Sequence, residues 1–86
     1  MPSFTVTVRV KLPRAADDQV QRLLGTVPHA LFDPIRRELV QISVVGSEGA
    51  DSARDKAVRH VTWALDDGGL RHHDYEIESL VSPVDE

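Results

Sequence analysis

Between Ala50 and Gly69 the chain reads ADSARDKAVRHVTWALDDGG, and its apolar residues recur at three- and four-residue spacing. Ala53, Ala57, Val61 and Ala64, joined by Val58 and Leu65, therefore line one side of an α-helix. Asp51 or Ser52 can cap its first turn. With Ser52 as the cap, Asp55 falls at the third helical position and completes a Ser-x-x-Asp box. Gly68 and Gly69 supply the left-handed residue that ends a helix without a Cβ clash. Alanine dominates the centre of the stripe, so this helix can lie close on a flat neighbour, inferred to be a β-sheet. The rest of the chain must supply that sheet.

Phe4 to Leu12, FTVTVRVKL, alternates without a fault. Phe4, Val6, Val8, Val10 and Leu12 face one way and Thr5, Thr7, Arg9 and Lys11 the other, which is a half-buried strand stopped by Pro13. Ala16, Val20, Leu23, Leu24 and Val27 then fall at helical spacing, with Asp17 and Asp18 near the positive end of the dipole. The spacing predicts a helix from Arg14 to Leu24, capped by Gly25. The segment from Val27 to Pro34, bracketed by prolines, reads as a short edge strand, and Asp33-Pro34-Ile35-Arg36 as a turn. Glu38 to Val45 reads as a strand with Val40, Ile42 and Val44 toward the core and Gln41 and Ser43 outward. His73 to Val81 gives the last strand, with Tyr75, Ile77 and Val81 inward. Pro83 ends it, and Val84-Asp85-Glu86 reads as a frayed tail.

The order is strand, helix, strand, strand, helix, strand. Two right-handed strand–helix–strand units place both helices on one face of one sheet. That is an α+β fold of the split βαβ, ferredoxin-like kind, a βαββαβ chain with a four-stranded, antiparallel-type sheet. The first and third strands are expected at its centre, running parallel. Residues 1–86 form one domain, with an ordered core over about 4–82. On this reading Val8→Asp or Ile42→Asp should unfold the chain by burying an unpaired carboxylate. The topology is shared by unrelated functions and names none of them.

Composition narrows the function classes. The net charge of −4 gathers in the last quarter, where Asp66, Asp67, Asp74, Glu76, Glu78, Asp85 and Glu86 outnumber Arg71. An acidic domain without a basic stripe is a poor partner for nucleic acid. RNA readers of this topology also stack bases on central-strand aromatics. The open sheet face, read as Thr5, Thr7, Arg9, Lys11, Gln41, Ser43, Glu76 and Glu78, offers none. Its charges read instead as cross-strand pairs of Arg9 or Lys11 with the glutamates. No apolar run approaches a membrane span, and the alternating N-terminus is not a signal peptide. The absence of cysteine excludes thiol chemistry and cysteine-ligated zinc and fits a reducing cytoplasm.

Few motifs suggest chemistry. His72-His73-Asp74, with His60 or His29, lacks HxxxH or HxH spacing, and adjacent strand histidines point to opposite faces, so no metal is expected. His29, His60, His72, Asp33 and Tyr75 are titratable but sit in no catalytic motif. Gly46-Ser47-Glu48-Gly49 opens onto a helix N-terminus, where Glu48 opposes an anion. No catalytic residue and no cofactor is assigned. Trp63 is different. It falls opposite the buried stripe, beside Lys56, Arg59 and Ser52, with His60 on the border. It is read either as a partner anchor or as a ring folded onto the nearby loop or arginine stem. The functional expectation is a non-enzymatic binding or assembly module acting through Trp63, Lys56 and Arg59, on another protein or on a second copy as a homodimer. The alternative is a small cofactor-free enzyme or ligand-binding regulatory domain on a paired ferredoxin-like, α+β barrel scaffold.

Overall fold

In the computed structural model, which describes residues 2–84, the elements are β1 (Ser3–Lys11), α1 (Asp17–Thr26), β2 (Ala30–Asp33), β3 (Glu38–Gly46), α2 (Ala50–Asp67) and β4 (Glu76–Pro83). The strands form one sheet in the order β2-β3-β1-β4, every neighbouring pair antiparallel. This is the ferredoxin-like βαββαβ arrangement. Val6, Val8 and Val10 of β1 and Leu12 just after it are fully buried, and Val20 and Leu23 of α1 and Ala53, Ala57, Val61, Ala64 and Leu65 of α2 are buried against them. Of the central helix's expected stripe, Val58 alone is only half-buried.

The expectation of parallel central strands is corrected: β1 runs antiparallel to β3, Thr7 opposite Ile42. Each right-handed crossover makes its own two strands parallel, β1 with β2 and β3 with β4, but leaves a gap one strand wide. The β2–β3 hairpin fills the first gap with β3 reversed. Antiparallel central strands are thus what this topology requires.

A second correction concerns the phase of β3. Leu39 and Gln41 are buried on the helix side, and Val40, Ile42 and Val44 share the open face with Thr5, Thr7 and Arg9. Apolar content favours the opposite phase, but the β2–β3 turn decides it. The Arg37 C=O lies beside Leu12, whose N–H donates to it at 2.8 Å. The Arg37 guanidinium donates to Leu12 O at 3.2 Å and to Ala15 O, and stands 5.7 Å from the Phe32 ring centroid. So anchored, Lys11 meets Glu38 and Val8 meets Gln41. The buried Gln41 amide is satisfied by donating to Pro28 O at 3.0 Å.

Helix ends differ from expectation too. Helix α1 starts at Asp17, because Pro13 and Arg14 turn; Gln19 Oε1 accepts from Ala16 N–H, and its Nε2 donates to Gly68 O, tying the two helices together. Gly25 lies within that helix, which is capped at Val27. Gly49 caps α2 and no Ser52–Asp55 box forms. At its other end Gly69 takes φ +84°, Leu70 N–H donates to Leu65 O and Gly69 N–H to Asp66 O, which is a Schellman motif. Strand β4 begins at Glu76, so His73 and Tyr75 precede it.

Candidate interaction surfaces

Helix α2 buries its alanine stripe and so turns Trp63 outward, 68% exposed. Lys56 and Arg59 lie on the same side but are engaged within the chain. Lys56 Nζ donates to Gly46 O at 3.3 Å, and Arg59 Nη2 pairs with Asp55 Oδ2 at 2.6 Å across one helical turn. Between α2 and the segment leading into β4 runs a groove of about 690 Å³, with Trp63, Tyr75, Arg59, Arg71, His72 and Asp66 along its walls.

His72 and His73 occupy a turn rather than a strand, their rings edge-to-face at 5.5 Å. Asp74 accepts from Arg71 N–H and approaches His73 Nε2 at 3.7 Å, closing that turn on itself. Among the described residues no three metal-ligating side chains converge. The acid–base candidates scatter: His29 sits in a turn at φ +59°, His60 on the outer face of α2, and Asp33 accepts from Ile35 and Arg36 N–H groups. His72 and Tyr75 share the groove beside α2. In the loop before α2, Ser47 is buried and Glu48 exposed.

The surface that sequence reasoning missed is the open face of the sheet. Leu31 (78% exposed), Ile42 (55%), Val44 (68%) and Leu80 (66%) all lie there, with half-buried Val40 between them. Register orders the face in rows across the strands. Val44, Thr5 and Ser82 form one; Ile42, Thr7 and Leu80 the next; then Leu31, Val40, Arg9 and Glu78; then Asp33, Glu38, Lys11 and Glu76. One end is uncharged and the other charged. Arg9 stands opposite Glu78 and Lys11 opposite Glu76, yet the ion pairs among the described residues are Arg54–Asp51, Arg59–Asp55 and His73–Asp74. The expected cross-strand pairs are not closed. Gln41 and Ser43, expected on this face, point to the helices. The signal that could have found the patch was Leu80, an apolar residue out of phase with Ile77 and Val81. No helix of the described residues is long and apolar enough to cross a membrane.

Comparison with known families, with curated proteins and with solved structures finds no match to this chain.

Proposed function

We propose that this domain is a non-enzymatic binding and assembly module that works by protein–protein contact through the open face of its sheet. The observation that carries the reading is the gathering of Leu31, Ile42, Val44 and Leu80 on one side of one sheet. An apolar patch gathered on one face and bordered by charges at one end marks a contact surface far better than scattered apolar residues do. Trp63 is a second anchor on the opposite side of the molecule, in keeping with the enrichment of tryptophan at binding hot spots. Lys56 and Arg59 flank it as rim residues. The cysteine-free sequence supports a reducing cytoplasm as the setting.

The test is photo-crosslinking in the native cell, with benzoylphenylalanine placed at Leu80 or at Trp63. The expected result is a protein adduct at Leu80 that disappears when Ile42→Lys is added. Adducts at Trp63 alone would move the contact surface to the helix side. None at either position would refute the module. The groove beside Trp63 favours a second reading, in which Tyr75, His72 and Arg71 hold a small ligand as part of a regulatory domain or cofactor-free enzyme.

A further inference from the structure

We propose that the open face covers itself: two copies of this chain stack sheet to sheet about a two-fold axis that crosses the strands along the Ile42–Thr7–Leu80 row. This rests on reading the open face as a contact surface, and it names the occupant.

The pattern of charge on the face selects the arrangement. A face-to-face pair of identical sheets has its two-fold axis in the plane between them. An axis across the strands reverses strand direction and keeps each strand over its own copy. With that axis on the Ile42–Thr7–Leu80 row, Val40 falls over Val44 of the second copy, and Ile42 and Leu80 over their own counterparts. Arg9 falls over a Thr5 hydroxyl, which accepts, and Glu78 over a Ser82 hydroxyl, which donates. Lys11, Glu38 and Glu76 stand over strand ends at the wet rim. No two charges of one sign face each other.

Other axes fail on the same residues. An axis along β1 sets Arg9 on Arg9, Lys11 on Lys11 and, twice by symmetry, Glu38 on Glu76, four like-charge contacts in one interface. A diagonal axis, which packs the sheets at right angles, seats Arg9 on Ile42 or Leu80 and strips its water without a partner. The permitted stack also has space to interlock. A depression of about 550 Å³ lies over Thr7, Arg9, Val40, Ile42, Glu78 and Leu80. Aligned sheets cross at about 30°, which slides each Ile42 past its mate toward that hollow. The face spans about 19 by 20 Å, roughly 760 Å² in projection over both copies, which is the size of a weak, transient contact rather than a permanent one. The dimer is therefore a concentration-dependent one.

Sedimentation velocity on the purified chain, from about 1 to 500 μM, is expected to show monomer passing to dimer in the micromolar range. Leu80→Lys, which sets lysine on lysine, should weaken dimerisation about tenfold or more, with the thermal transition of the dilute monomer unchanged. If that variant unfolds, Val44→Lys serves in its place. The chain has no cysteine, so Glu38→Cys carries a single spin label. Pulsed dipolar spectroscopy should then place the two backbones about 28 Å apart, against about 14 Å for an axis along β1. A chain monomeric throughout, or the shorter distance, overturns the proposal. A monomeric purified chain that still cross-links another protein through Leu80 removes the second copy but leaves the contact face; absence of both removes both.

Discussion

Leu39 and Ile42 lie three residues apart on β3 and should answer truncation in opposite measure. Leu39 is 1% exposed among the helices. Leu39→Ala takes three carbons from a packed site and leaves a cavity, a cost of about 3 kcal/mol. Ile42 is more than half exposed on the far side of the sheet. Ile42→Thr keeps the branched Cβ that strands favour and removes two partly hydrated carbons, a cost of about 0.7 kcal/mol. In a domain of this size 1 kcal/mol moves the melting temperature by about 4–8 °C, so the expected falls are about 12–24 °C and about 3–6 °C. Urea unfolding followed by circular dichroism measures both, with an unchanged m-value as the control. Dilute protein keeps self-association out of the comparison. An Ile42→Thr loss equal to or above that of Leu39→Ala would show that β3 presents its other face to the helices.

Three further outcomes follow from backbone and side-chain geometry. Arg37→Ala should cost about 2 kcal/mol through its lost bonds to Leu12 and Ala15, and Arg37→Gly should recover up to about 1 kcal/mol of it, because Arg37 holds φ +52°. A glycine variant less stable than the alanine one by urea midpoint would contradict this. Gly69→Ala should lose about 1 kcal/mol at its positive φ, whereas Gly68→Ala, whose Cβ would meet Ala64 O and Leu65 O at 3.5 Å, should be near neutral; the reverse order in thermal melts would refute the cap. Ser47 buries a hydroxyl with no hydrogen-bond partner among the described residues, so Ser47→Ala should be neutral or stabilising by up to about 1 kcal/mol. A loss larger than that on calorimetry would reveal a partner.

The sequence by itself determined the elements and their order, because each rests on local periodicity. Val6, Val8 and Val10 recur at every second residue, and Ala53, Ala57, Val61 and Ala64 at every third or fourth; no tertiary contact is needed to read either. The outward position of Trp63 follows from the same helical wheel. Helix ends were less legible, since backbone groups of Gly49 and Val27 make the caps that the Ser52 hydroxyl and the position of Gly25 had suggested. What only the tertiary structure decided is which side of β3 meets the helices. The apolar content of its sequence ELVQISVV favours the opposite phase to the one adopted, and a one-residue slip exchanges the faces. The choice falls to contacts distant in sequence: Arg37 bound to the Leu12–Ala15 corner, and Pro28 O waiting for the Gln41 amide. Those contacts turn Val40, Ile42 and Val44 onto the open face, where β1 and β4 bring Thr7 and Leu80 alongside. The candidate contact surface is a product of strand register, and register is a property of pairs of strands that no single strand carries.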